Sequence, residues 1–213
     1  MPVRSLLALI LLSLSACSVP SADRLRTPTD ERPEGTNRTL PASPDGVAAR
    51  PSGSAVVSSL YDQMNATRRE KGLSTLTRNA LLERIAQEHS ADMALRGYFD
   101  HVSPEGQSPF DRAEAAGIDC LVLTDSRSAG LSENLYQMSA TQRTVTSSNG
   151  TATRTYEWPS PTAIADQTAQ GWLNSPGHRA NLLRPSAKLH GMGAAYGDGE
   201  MLYVTHVFCN SPG

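Results

Sequence analysis

The composition of the chain changes at about residue 53. Residues 18 to 53 combine Gly, Ser, Thr and scattered charges with almost no apolar side chains, and they contain Pro20, Pro28, Pro33, Pro41, Pro44 and Pro51. Such a segment cannot bury enough apolar surface to offset the entropy that ordering it would cost, so it predicts a flexible, disordered tether. The folded part therefore runs from about 54 to 213, which is long enough to bury a core in one domain.

The first residues have the pattern of an export signal. Arg4 supplies a positive charge, an apolar run extends from Leu6 to Leu14, and the run ends in Leu14-Ser15-Ala16-Cys17. The run is shorter than the ~20 residues that a membrane-spanning helix needs, so residues 1–16 are predicted to be a signal peptide. Its end resembles the bacterial lipobox, in which the cysteine becomes the lipidated first residue of the mature protein. The alternative is an ordinary secretory signal in which Cys17 is coincidental.

Lipidation of Cys17 would make residues 17–53 a linker between a membrane and an extracytoplasmic domain. Ser18 follows the cysteine, and a residue other than Asp resembles the outer-membrane choice of Gram-negative lipoproteins. The net charge of -2 and the isoelectric point near 6.2 leave no basic patch. The sequence therefore predicts a membrane-anchored lipoprotein, and it argues against nucleic acid as a partner.

Two further cysteines, Cys120 and Cys209, remain in the folded part. An exported protein with two spare thiols usually pairs them, and no metal-type cysteine spacing is present. A bridge would close a loop of 89 residues (209 - 120), for which the chain-entropy estimate is ~4 to 5 kcal/mol at most. The alternative is two buried free thiols.

Helical patterns dominate the first half of the folded part, and strand patterns lie at its end. Apolar spacing and capping residues predict helices from Val56 to Gly72, from Leu81 to Gly97, from Ser108 to Gly117, and from Pro161 to Leu173 with Thr162 as cap. Strands are predicted at 121–123, 192–196 and 201–208, and Asn149-Gly150 between Thr-rich flanks predicts a projecting hairpin inside the inserted segment 137–161. Helices followed by an antiparallel hairpin predict an α+β sandwich.

Three side chains are candidates for shared chemistry. His101 lies in the turn-rich loop 97–106, Glu133 follows a turn, and His178 lies just past the corner Ser175-Pro176-Gly177. Two imidazoles and a carboxylate can hold a divalent metal, or a histidine can act as a base that the carboxylate orients. His89 lies on the apolar stripe of its helix, which favours a packed, hydrogen-bonded histidine over a ligand.

Several motifs, in this order, closely resemble the CAP superfamily of cysteine-rich secretory, antigen 5 and pathogenesis-related proteins, and in particular its bacterial branch. They cover about residues 56 to 209 and include Tyr98-Phe99-Asp100-His101-Val102-Ser103-Pro104, Asp111-Arg112-Ala113, Ser132-Glu133-Asn134-Leu135, the stretch from Trp172 to Leu183, and Tyr203-Val204-Thr205-His206-Val207-Phe208.

The resemblance implies an α-β-α sandwich whose cleft is lined by His101, Glu133, Asn134, Ser175 and His178. In some relatives the two histidines hold a divalent cation such as zinc, which makes His101 and His178 the candidate metal ligands here. Other relatives bind sterols or fatty acids. Many eukaryotic members carry a second Glu where this chain has Ser175, so the full acidic set of the family is absent.

The favoured function is therefore binding, without demonstrated catalysis, of a lipid-like or sterol-like small molecule or of a cell-envelope protein through this cleft. One alternative is a metal-dependent or Ser/His hydrolase acting on envelope components, with Ser175, His178 and Glu133 as weak catalytic candidates. The other is a structural or adhesive module in which the cleft is vestigial and the inserted hairpin makes the contacts.

Overall fold

The computed structural model describes residues 50–118, 120, 122–124, 127–129 and 131–210. The predicted signal peptide, Cys17 and the linker up to residue 49 lie outside the described residues. The helices are α1 (Gly53–Glu70), α2 (Ala80–Arg96), α3 (Pro109–Ala115), α4 (Pro161–Asn174) and α5 (Pro176–Leu182). The strands are β1 (Thr77–Arg78), β2 (Val122–Thr124), β3 (Arg127–Ala129), β4 (Ser132–Ser139), β5 (Thr141–Thr146), β6 (Ala152–Glu157), β7 (Leu189–Gly197) and β8 (Met201–Cys209).

A mixed sheet with the strand order β1-β7-β8-β4 forms the middle layer. Strands β7 and β4 pair antiparallel with β8, and β1 pairs parallel with β7. The even-numbered residues of β8, such as Val204 and Phe208, pack with α1 and α4, whereas Val207 and Cys209 pack with α2. Helices thus cover both faces of the sheet, which confirms the predicted α-β-α sandwich.

Glycines let α2 lie close against the sheet. A Cβ atom on Gly193 would come within 2.3 Å of the Gln87 backbone, and one on Gly191 would come within 2.1 Å of the Leu82 carbonyl carbon. Real Cβ atoms do not approach backbone so closely. The spacing of glycines in β7 therefore sets the distance between the sheet and the helix.

The helix ends follow local chemistry. Gly97, at φ 69°, accepts the left-handed conformation that ends α2, and Ser108 with Asp111 forms a reciprocal capping box at α3. The predicted cap of α4 is wrong by two residues: Ser160, not Thr162, accepts the hydrogen bond from the Ala163 amide. Pro161 at the first helical position explains the shift, because it favours a helix start at its own position.

Two elements differ from the sequence prediction. Glu133, which was expected just after a turn, lies inside β4, whose eight residues pair along β8. His178 was expected just past a corner, with no helix predicted after it; Pro176 begins the short helix α5 and places His178 in its first turn. A proline that ends one helix is also well suited to start the next, since its missing amide proton would have no partner there.

The inserted segment forms a separate two-stranded ribbon. Strands β5 and β6 pair antiparallel across the turn at Asn149-Gly150, as the hairpin signal predicted. The ribbon base is fixed by Trp158, whose indole donates to Glu200 and packs edge-on against Tyr196. The strand predicted at 121–123 is seen as β2, at Val122–Thr124, and Leu121 lies outside the described residues.

The predicted disulfide between Cys120 and Cys209 is confirmed, and it joins positions 89 residues apart. It ties the segment after α3 to the end of β8. Among the residues that the structure describes, no helix combines the length and the apolar character needed to cross a membrane.

Candidate functional site

Glu133 is the centre of a buried hydrogen-bond cluster. Only 1% of its side chain is exposed, although it carries a carboxylate. His101 donates from Nδ1 to one carboxylate oxygen at 2.8 Å, and Arg112 donates from Nη2 to the other at 2.9 Å. Both oxygens are therefore satisfied by strong donors, which is what a buried carboxylate requires.

Arg112 also holds the loop that carries His101. Its Nη1 donates to the carbonyl oxygens of His101 and Gln107, each at 3.0 Å. One guanidinium thus links α3, the loop and β4. Arg112 was not among the predicted site residues. The signal that could have found it is its place in the Asp111-Arg112-Ala113 motif.

The ring of His101 has one nitrogen engaged and one available. Because Nδ1 donates to Glu133, Nε2 carries the lone pair when the ring is neutral. The side chain is 46% exposed, in contrast to the buried carboxylate that orients it. His101 is therefore a fixed, solvent-accessible imidazole that can accept a hydrogen bond or coordinate a cation.

His89 is packed beneath this cluster, as predicted. Its Nε2 lies 3.0 Å from the carbonyl oxygen of Asp100, to which it donates, and 3.9 Å from a Glu133 oxygen. Burial lowers the pKa of His89, and the nearby charge of Glu133 opposes that shift. The neutral ring of His89 thus holds the loop 97–106 in place through its hydrogen bond to the Asp100 carbonyl oxygen.

The edge strand β4 separates the two sides of the candidate cleft. Glu133 pairs with Val207 and points to the α2 face, whereas Asn134 pairs with His206 and points to the face that α1 and α4 cover. Asn134 donates to the backbone carbonyl of His178 at 3.0 Å. The loop with His101 and the helix with His178 therefore approach β4 from opposite faces of the sheet.

His178 is partly buried, and its pKa is influenced by His101. Burial, and then the charge of His101, lower the pKa of His178. This electrostatic coupling favours the neutral imidazole, whose nitrogens can accept a hydrogen bond or bind a metal.

Two residues fix α5, which carries His178. Asn181 donates to the side-chain oxygen of Asn134 at 3.0 Å. Arg68, fully buried on α1, donates to the carbonyl oxygens of Leu182 and Arg184 at 2.7 and 3.2 Å. Arg68 lies on the same helical face as Leu60 and Met64, so apolar spacing distinguishes it from its exposed neighbour Arg69, but the sequence could not predict its carbonyl partners.

Ser175 occupies the N-cap position of α5 but makes no side-chain cap hydrogen bond. Among the described residues, no hydrogen bond joins Ser175 to His178, and the carboxylate of Glu133 pairs with His101 instead. The arrangement of a Ser/His/Glu triad is therefore not assembled. The same part of the chain contains no group of three or more His, Cys, Asp or Glu side chains arranged to hold a metal ion.

Apolar side chains flank the polar cluster in sequence. Phe99 and Val102 lie on either side of His101, Phe110 lies two residues before Arg112, and all three are exposed. Exposed aromatic and aliphatic side chains beside a polar site suit a ligand with both apolar and polar parts.

Comparison with known proteins gives a consistent result. Residues 61–210 match the model of the cysteine-rich secretory protein family. The Bacillus subtilis protein YkwD is 30% identical over 140 residues, which cover 66% of this chain and 42% of that protein.

Two solved structures share the fold. An extracellular protein of Bacillus anthracis containing an SCP domain aligns with a TM-score of 0.53 at 23% identity, over 80% of this chain and 45% of its own. An outer surface protein of Borrelia burgdorferi aligns with a TM-score of 0.53 at 15% identity, over 75% of this chain and 95% of its own. The chain thus spans less than half the length of both Bacillus proteins.

Proposed function

This chain belongs to the cysteine-rich secretory protein family, and from that premise we propose that it is an extracytoplasmic binding domain anchored by lipid at Cys17. It takes an amphipathic small molecule, or the matching part of a cell-envelope partner, in the cleft that carries His101, Glu133 and His178.

The observation that carries the proposal is the orientation of His101. A carboxylate that is buried and also held by Arg112 accepts from Nδ1, so Nε2 is presented to solvent in a fixed direction. A histidine with a purely structural role has no need of one exposed nitrogen. Preorganised polar groups of this kind give a binding site its specificity.

The exposed Phe99, Val102 and Phe110 favour a ligand that is partly apolar. Polar groups of such a ligand would meet His101 and His178, while its apolar part would cover these side chains. Removal of exposed apolar area from water stabilises a complex by ~25 cal/mol per Å². A lipid-like molecule fits this combination better than a sugar or a nucleotide.

The proposed location draws on the export signal and on the described character of the structural relatives, one extracellular and one on the outer surface. Replacement of the predicted lipidated residue, Cys17→Ser, tests it directly. We expect the wild-type protein in the membrane fraction of its host and the variant in the soluble extracytoplasmic fraction. Equal membrane association of the two would contradict lipidation at this position.

Native mass spectrometry of the full chain, purified from its own host, tests the binding proposal. We expect the wild-type protein to retain a small molecule, and both His101→Ala and His178→Ala to lose it. Asn149→Ala, at the tip of the ribbon, is the matched control and should retain the molecule. A bound molecule that survives both histidine substitutions would place the binding site elsewhere.

A divalent cation is the second candidate ligand. A histidine whose Nδ1 donates to a carboxylate is the usual arrangement of a metal ligand, because the carboxylate fixes the tautomer and makes the free nitrogen more basic. His101 fits this description and His178 is the second candidate ligand, but two imidazoles are fewer than the three or four protein ligands of a tight zinc site. A cation held there would polarise a bound oxygen or carbonyl group.

Calorimetric titration with zinc distinguishes the two candidates. We expect weak binding that disappears in His101→Ala and in His178→Ala. Zinc binding that stays in either variant would exclude this pair as the site, and retention of the small molecule after treatment with a chelator would show that its binding needs no metal.

A further inference from the structure

A cavity lies along α2, beside the cluster around Glu133. It has a volume of about 670 Å³, and its walls are α2, the loop 103–107 and α3. This is within the size range of small-molecule sites, ~300 to 1,000 Å³. His101, Glu133 and His178 do not line it, whereas Arg112 and His89, which contact the cluster around Glu133, do. We call it the α2 groove.

The α2 groove is lined by charged side chains of both signs: Arg84, Glu88, Asp92, Arg96, Glu105 and Arg112. Most of these charges are already paired. Arg96 binds both Asp92 and Glu105, and Arg112 binds Glu133. Side chains whose charges are already paired in this way attract another ion only weakly.

Arg84 and Glu88 are different. Neither forms a hydrogen bond or an ion pair with any residue that the structure describes, although both line the groove and lie four positions apart on α2. Side chains at this spacing have Cβ atoms ~5 to 6 Å apart. The order, Arg before Glu, is also the less favourable one for a pair within a helix. The groove thus presents one available cation and one available anion about one helical turn apart.

We infer that the α2 groove binds a zwitterionic dipeptide, or a molecule of the same size and charge. Its carboxylate would pair with Arg84 and its ammonium group with Glu88. An extended residue spans at most ~3.3 to 3.6 Å, so the charged ends of a dipeptide lie at most ~7 Å apart, which is comparable to the ~5 to 6 Å between Cβ atoms four positions apart on a helix. A single amino acid is too short to reach both, and an acyl chain would meet a wall of charged groups.

Titration of the full chain with alanyl-alanine, followed by amide chemical shifts in NMR, tests this inference. We expect saturable shifts in α2 and in the loop 103–107. Acetylation of the dipeptide's amino group or amidation of its carboxylate should each weaken binding by about threefold to fivefold, the effect of one solvent-exposed ion pair. Binding of the capped dipeptides with unchanged affinity, or no saturable shift, would overturn the inference.

Variants assign each end of the dipeptide. Arg84→Gln should weaken binding of alanyl-alanine and leave that of its amide unchanged, because the amide has already lost the contact. Glu88→Gln should likewise weaken binding of alanyl-alanine, and it should leave binding of the acetylated dipeptide unchanged. Arg69→Gln, an exposed arginine on α1 outside this groove, is the control and should change nothing. Since the groove and the cleft share neither cleft histidine, failure here leaves the cleft proposal standing, and the reverse also holds.

Discussion

At the scale of single residues, Arg112 is the side chain that stabilises the buried carboxylate of Glu133. Its side chain is 11% exposed and that of Glu133 is 1% exposed, so both charges are largely removed from water. Breaking such a pair leaves an uncompensated buried charge. We expect Arg112→Met to lower the free energy of unfolding by about 3 kcal/mol, measured by urea denaturation.

Arg96 supplies the matched control, because it pairs with carboxylates at the surface, whereas Arg112 pairs with a buried one. The Arg96 and Asp92 side chains are 32% and 34% exposed. Solvent screening makes pairs of this kind contribute little to stability. Arg96→Met should therefore have a much smaller effect. Equal effects of the two substitutions would show that Glu133 does not depend on Arg112.

Two other buried histidines should make the free energy of unfolding depend on pH. His190 and His206 lie side by side on the α1 face of the sheet, with 3.1 Å between Nδ1 of the first and Nε2 of the second. Burial, then the charges of Arg68 and Arg78, lower the pKa of His190 to about 4. Burial, followed by repulsion from His190 and Arg68, lowers the pKa of His206 well below 6.5.

A lowered histidine pKa means that the unfolded chain takes up protons which the folded protein does not. Stability should be constant above about pH 6.5 and fall as the pH drops towards 4, by about 3 kcal/mol from His190 alone. Urea midpoints measured between pH 4 and 7.5 check this. The free energy of unfolding of His206→Phe should depend less on pH. Equal stability of the wild type at pH 4.5 and pH 7 would contradict the prediction.

At the scale of elements, the contact between α2 and β7 depends on glycine. Gly193→Ala would place a Cβ atom 2.3 Å from the Gln87 backbone, so either the helix or the strand must move. We expect it to lower the free energy of unfolding by about 3 kcal/mol, the upper end of the usual cost of overpacking. Gly177→Ala is the control: nothing lies within 4 Å of the new atom, and alanine favours the helix.

The same elements show what the sequence could predict. Helices α2 and α3 carry their own caps and apolar periodicity, so their ends were found from local patterns. Strand β4 has no such pattern: Glu133 and Asn134 are both buried, on opposite faces of the sheet. Their partners, Arg112 and His178, come from distant segments, and only the folded chain brings them together. The resemblance named Glu133 and His178, but it did not supply the hydrogen-bond partners.

At the scale of the whole molecule, the disulfide joins two segments that local structure leaves weakly connected. Cys120 follows α3, which contains Arg112 of the cluster around Glu133, and Cys209 ends β8, an inner strand of the sheet. The bridge therefore links the segment after α3 to the sheet. It also restricts the unfolded chain, because it closes a loop of 89 residues.

We expect the double variant Cys120→Ala/Cys209→Ala to lose about 4 kcal/mol of unfolding free energy, close to the loop-entropy estimate for this length. A reducing agent should lower the melting temperature of the wild type to that of the variant and leave the variant unchanged. If the bridge acts only on the unfolded chain, the backbone amide shifts of Arg112 and Glu133 will be the same in both proteins. If it also positions α3, those shifts will change and ligand retention in the cleft will fall with them. An unchanged melting temperature after reduction would show that α3 is held by its packing and by Arg112 alone.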